Sequence, residues 1–147
     1  MGDNQTIFLT GISGLLGTNL AHRLLSDGYN VLGLIRNKSS FRGKQHLNLR
    51  LIEGDLSMDF SLIFQEVDIV IHAAAETRQS LIKYSDYEKV NIMGTSHLYH
   101  MAIAADVKQF VYVSTANTIG YASEKSPGLE TDPMRHPFLK SFYGMSK

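Results

Sequence analysis

Tyr143 and Lys147 stand four residues apart in the segment SFYGMSK (141–147). On a helix that spacing places two side chains on one face, a turn apart. A free phenol ionises near pH ~10, a poor match for proton transfer at neutral pH. A nearby ammonium favours the phenolate and brings that value down. The pair is therefore a candidate acid–base group, provided the rest of the chain supplies a fold that gives it something to act on.

A second chemical feature lies near the start. TGISGLLG (10–17) follows a short apolar run, TIFLT (6–10), and opens a stretch with leucines 16, 20, 24 and 25 at helical spacing. Gly11 permits a tight turn, Gly14 lets backbone N–H groups approach a diphosphate, and Gly17 lets the helix pack closely on the strand. This strand–turn–helix context is what a dinucleotide-binding loop requires. The residue beyond the second apolar run bears on which dinucleotide binds. A carboxylate there holds a ribose 2′-hydroxyl, whereas this chain has Arg36, with Lys38 close by. A guanidinium grips a 2′-phosphate with paired hydrogen bonds, so the expectation is NADP, with NAD as the other candidate.

These groups need a scaffold, and the apolar pattern predicts one. Strands are expected at 6–10, 31–35, 68–75 and 109–115, with a strand running into a turn over 49–56, a turn entering a helix over 11–25, a short helix over 59–67 and a long one over 86–106. Gly28 is the expected cap of the first helix. In the long helix, Val90, Met93, Gly94, Leu98, Met101, Ala102 and Ala105 are expected on one apolar stripe. Continuous apolar strands separated by crossovers predict an α/β fold, a doubly wound parallel sheet of Rossmann type. Nothing marks a second domain within residues 1–147.

Composition narrows the classes. Fourteen basic and fourteen acidic residues cancel, so no electrostatic argument favours nucleic acid or an anionic membrane as partner. There is no cysteine, which excludes disulfides and thiolate chemistry and makes a reducing cytoplasm the expected location. No uninterrupted apolar stretch reads as a membrane span. MGDNQT (1–6) fits a loose myristoylation pattern at Gly2, and an ordinary start is the preferred reading. His97 and His100 lie a turn apart but lack an evident third ligand, so no metal is expected, and His72 reads as a packed strand residue.

Taken together, these motifs resemble the extended short-chain dehydrogenases/reductases, the NAD-dependent epimerase/dehydratase family. TGISGLLG is similar to their TGxxGxxG. EGDL (53–56), IHAAA (71–75), VNIMGTSHL (90–98), VYVSTANTIG (111–120) and FYGMSK (142–147) follow in the family's order. The resemblance implies a cofactor site of Gly11, Ser13, Gly14, Leu15, Leu16, Gly17, Arg36, Asp55, Leu56, Ala73, Ala74, Ala75, Tyr143 and Lys147. It implies hydride transfer between nicotinamide and a carbon bearing oxygen, with Tyr143 as acid in reduction and base in oxidation. A strand-end hydroxyl would contact the substrate oxygen: Thr115 in a reductase-type alignment, with Ser114 and Thr118 as alternatives. In the epimerase-type alignment the same place falls on Ala116. Asn91 matches the helix-kinking asparagine.

GLIRN and VYVSTANTIG look closer to reductases of dihydroflavonol and hydroxysteroid type than to nucleotide-sugar epimerases, which remain the alternative beside a non-catalytic dinucleotide-binding module. The family's later strands and substrate subdomain follow YxxxK, so residues 1–147 are expected to be an N-terminal fragment with weak or absent turnover. A small-molecule substrate and a homodimer are the implied partners.

Overall fold

The structure is a computed structural model that describes residues 5–118, 123–132 and 141–147. The Gly2 pattern and the Ile119–Gly120 end of the VYVSTANTIG stretch lie outside the described residues. The chain divides into two compact units. One comprises Met1–Ala75 and Gly94–Val113, the other Glu76–Met93 and Ser114–Lys147.

The first unit is built on five strands: β1 (Thr6–Thr10), β2 (Asn30–Ile35), β3 (Leu49–Glu53), β4 (Ile69–His72) and β5 (Gln109–Tyr112). All neighbours are parallel, in the order β3-β2-β1-β4-β5. The chain steps outward from β1 to β3, then returns to the other side of β1 to lay down β4. That reversal makes a topological switch point between β1 and β4, where open α/β sheets leave a crevice for ligands.

Successive strand residues point to opposite faces, so the apolar runs feed two cores. Phe8, Leu32, Leu34 and Val70 join one; Leu9, Val31 and Ile35 join the other. Helix α1 (Leu15–Ser26) covers the second with Ala21 and Leu25. The first is covered by α2 (Ser61–Phe64) and, further along the chain, by a helix over Thr95–Ala104. Only four residues long, α2 acts through its rings: Phe8 meets Phe60 and Phe64 edge-on at 5.3 and 5.0 Å, and all three are at most 1% exposed.

Gly28 ends α1 as expected, with φ +90°. Its N–H bonds Leu25 O and the Tyr29 N–H bonds Leu24 O, a Schellman arrangement. Asp106, at φ 55°, performs the same service after Ala104. At the N-terminal rim, Asp68 accepts from the Thr6 N–H and from Lys108 Nζ. Those bonds, the lysine's first, hold its carboxyl below the usual carboxylate range.

In the second unit, α3 (Tyr84–Tyr87) leads into a π-helical segment, Glu88–Gly94, which runs on to α4 (Thr95–Ala104). Phe142, on α5 (Phe142–Met145), packs its ring on Tyr84 and Tyr87. The Tyr87 hydroxyl donates to the Arg78 carbonyl.

Two expectations change. The long helix over 86–106 is an α–π–α succession over 84–104. The widened turn also shifts the phase of its stripe, leaving Met93 62% exposed instead of packed. Strands 68–75 and 109–115 stop at His72 and Tyr112; beyond the first, the Ala74 N–H donates to the Thr10 hydroxyl instead of a strand carbonyl.

Removing a ring from the aromatic trio tests the packing. Phe8→Ala is expected to lower the unfolding free energy by about 3–5 kcal/mol, read from urea denaturation followed by circular dichroism. A loss under about 1 kcal/mol would show that the three rings do not form the centre of that layer.

Candidate functional site

The glycine loop is shaped by what it leaves out. Gly11 leaves β1 at φ +74°, and the Gly14 N–H closes the turn on its carbonyl at 3.0 Å. A Cβ on Gly17 would lie 2.1 Å from that same carbonyl oxygen. A Cβ on Gly11 would lie 2.8 Å from Ala73 C and Ala74 N. Neither position admits a side chain, so backbone meets backbone at the C-terminal ends of β1 and β4. Gly14 is the N-cap of α1 and offers no side-chain bond, which leaves the first N–H groups of a twelve-residue helix for an outside acceptor. Ser13 is exposed, and Leu15 and Leu16 project outward, 87% and 54% exposed. This is a cradle open to a diphosphate, so the residues present fit the pyrophosphate of a dinucleotide.

A buried latch fixes the cradle's rim. Thr10 and His72 are register partners on β1 and β4. The Ala74 N–H donates to Thr10 Oγ1 at 3.1 Å, and Thr10 Oγ1 lies 2.6 Å from His72 Nδ1. His72 Nε2 lies 2.8 Å from Thr95 Oγ1 at the start of α4. Either neutral tautomer satisfies the series: the Thr10 hydroxyl donates to Nδ1 and the Nε2–H to Thr95, or the Nδ1–H donates to Thr10 and the Thr95 hydroxyl to Nε2. His72 is fully buried and stacks on Tyr112. Reading it as a packed strand residue missed this role. The register of two strands 62 residues apart was its only trace in the sequence.

Arg36 is exposed directly beyond β2, followed by a 3₁₀ turn at Lys38–Ser40 that Asn37 caps through Ser39 N–H. Asp55 Oδ1 accepts from the N–H and hydroxyl of Ser57, which fixes the turn after β3. Leu56 packs on Gly94, where an added Cβ would come within 2.9 Å of it. Ala73 and Ala74 form the rim described above, and Ala75 is partly buried beside them in sequence. His97 Nε2 bonds the Met58 carbonyl.

The second unit holds the other candidates. Ser141 caps α5 by accepting the Gly144 N–H, which orients the turn bearing Tyr143. The spacing of Tyr143 and Lys147 predicts one helical face; α5 spans Phe142–Met145, with Ser146 and Lys147 directly after it. The Lys147 N–H reaches Gly144 O at 3.4 Å. Burial pushes the Lys147 ammonium below the usual lysine value, while the charge of Tyr143 acts in the opposite direction. Thr115 Oγ1 accepts the Asn117 N–H at 3.3 Å, and the Thr118 hydroxyl donates to the Thr115 carbonyl. The turn Ala116–Thr118 lies against α5, so Thr115 adjoins the segment next to Tyr143, while Ser114 is exposed. Asn91 is buried in the π segment, where its amide accepts the Glu76 N–H and donates to the Glu76 carbonyl.

Known proteins share this fold. The model of the NAD dependent epimerase/dehydratase family matches residues 7–147. UDP-glucose 4-epimerase of Vibrio cholerae is 29% identical over 97% of this chain and 44% of its own length. A ketoreductase of Stigmatella aurantiaca, acting on a 4-hydroxy-2-methyl-3-oxo-4-farnesyl-3,4-dihydroquinoline-1-oxide, is 30% identical over 90% of this chain and 39% of its own. The crystal structure of the Bordetella bronchiseptica enzyme WbmH in complex with NAD+ superposes with a TM-score of 0.79 at 27% identity, over 99% of this chain and 50% of that one. The chain thus spans half or less of the length of these proteins. With the glycine cradle, the parallel sheet and the matched span of 7–147 in agreement, the chain belongs to the NAD dependent epimerase/dehydratase family.

Proposed function

We propose that these residues are the cofactor-binding part of an oxidoreductase or epimerase acting at a carbon that bears oxygen. The observation that carries this reading is the cradle at Gly11 and Gly17, where an added Cβ would collide with backbone. Gly11, Ser13, Gly14, Leu15, Leu16 and Gly17 would hold the diphosphate, and Asp55, Leu56 and Ala73–Ala75 would line the nucleotide. A bound nicotinamide supplies or accepts a hydride. Tyr143 would move the matching proton at its phenol oxygen, with Lys147 as its cationic partner, and the Thr115 hydroxyl would hold the substrate oxygen. Relatives with epimerase and with ketoreductase names match at similar identity, so both substrate classes stay in view.

Arg36 supports NADP, since an exposed guanidinium directly beyond β2 can pair with a ribose 2′-phosphate. The NAD bound to WbmH favours NAD as the second reading. Exposed Tyr99 and Ile103 on α4 support packing against a second copy. Among the described residues no helix is long and apolar enough to cross a membrane, and the lack of cysteine supports a reducing cytoplasm.

Fluorescence titration with NADPH and NADH tests the cofactor reading. NADPH is expected to bind at least about tenfold tighter, and Arg36→Glu to abolish that margin, as the loss of a charge-assisted hydrogen bond requires. Tighter binding of NADH would overturn the NADP reading. In the full-length protein, Tyr143→Phe is expected to slow turnover by about 10²–10⁴-fold with cofactor affinity kept. Unchanged turnover would favour a binding module instead. Sedimentation analysis is expected to find a dimer that Ile103→Glu dissociates; a monomeric wild type would end that reading.

A further inference from the structure

We propose that Ser146 is a positioning residue for the Tyr143–Lys147 pair, its hydroxyl tying the turn that carries both to Asn91. The inference rests on the reading of that pair given above. Ser146 is 3% exposed, between a surface-facing Met145 and the half-buried Lys147. Its hydroxyl donates to the Tyr143 carbonyl at 2.8 Å and accepts from Asn91 Nδ2, also at 2.8 Å.

The direction of each bond follows from Asn91. Its Oδ1 accepts the Glu76 N–H at 2.7 Å, so the amide cannot be turned round without setting an NH₂ against an N–H. Nδ2 is therefore a donor to both the Glu76 carbonyl and Ser146, and Ser146 must receive. The serine's own proton is then available for Tyr143 O. A residue at 146 must accept one bond and donate another within a small volume, and a hydroxyl does both. Alanine would leave a buried amide donor of Asn91 without its partner, the costly kind of loss.

The tie has a mechanical reason to exist. Lys147 directly follows Ser146, and its backbone N–H reaches the Gly144 carbonyl at 3.4 Å. Its immediate neighbour is fixed at four points: the hydroxyl twice, and the Ser146 N–H to the carbonyls of Phe142 and Tyr143 at 3.1 Å each. Holding residue 146 holds the stem from which the ammonium projects. The seven-residue π segment brings Asn91 to this point, 55 residues earlier in the chain.

The test follows the Lys147 amine. Trace acetylation with acetic anhydride across pH, read at Lys147 by mass spectrometry, reports the midpoint at which that amine loses its proton. Tyr143 is the titratable group whose charge acts on it, while Glu76 and Arg78 engage each other. In Ser146→Ala the midpoint is expected to rise toward that of a solvated lysine, with a several-fold loss of labelling rate near neutral pH. Ser146→Thr, which restores the hydroxyl, is expected to return to the wild-type curve. An Ala curve that overlays wild type would overturn the proposal, and so would a Thr curve that follows Ala. Should the Ala variant fail to fold by circular dichroism, Ser146→Cys supplies the same comparison, since a thiol is a weak donor and acceptor. Retained turnover in Tyr143→Phe would instead defeat the underlying reading and leave the labelling result standing.

Discussion

Backbone contact at Gly17 is the constraint from which the first unit is organised. With the Gly11 carbonyl 2.1 Å from where a Cβ would stand, α1 can leave the sheet only if residue 17 has no side chain. That contact fixes where α1 begins, and so where its unpaired N–H groups lie. Gly11 meets the same limit on its other side, against Ala73 and Ala74. The two strands flanking the switch point are thereby drawn together, and the small residues after β4 follow from the shape of the loop after β1. A larger residue at any of these places would displace backbone, which the close-packed layers around Leu9 and Ile12 cannot absorb cheaply.

Within each unit the buried polar groups are committed. Among the described residues no buried side-chain nitrogen or oxygen lacks a partner. Thr10 and Thr95 place hydroxyls on either side of His72, and Asn91 uses each of its amide atoms. Each of these groups would be expensive to bury alone. Together they hold strand ends and loops in single arrangements, the condition for presenting reactive groups at set positions.

The sequence made the centre of the sheet legible because β1 and β2 are buried on both faces. Continuous apolar runs such as Ile7–Leu9 and Val31–Ile35 leave little alternative once glycine turns separate them. The glycine loop was legible for the same reason: few residue types tolerate its geometry. The π segment was not, since periodicity reports a helical face and says nothing of one widened turn within it. Thr115 was found by alignment with a motif, and its hydroxyl also serves the local turn to Asn117. The Thr10–His72 and Asn91–Ser146 bonds join residues 62 and 55 positions apart, beyond the reach of any local pattern.

The latch at the sheet's edge has a consequence for how the protein meets its solution. With a neutral imidazole in either tautomer, its links are dipolar, passing between hydroxyl, imidazole and amide. Dissolved ions screen charge–charge forces over about 8 Å at physiological ionic strength but leave short buried dipolar bonds largely intact. The cradle should keep its shape in concentrated brine, whereas the attraction exerted by the solvent-facing guanidinium at Arg36 fades. Architecture and electrostatic grip thus respond to different variables, and salt separates the two.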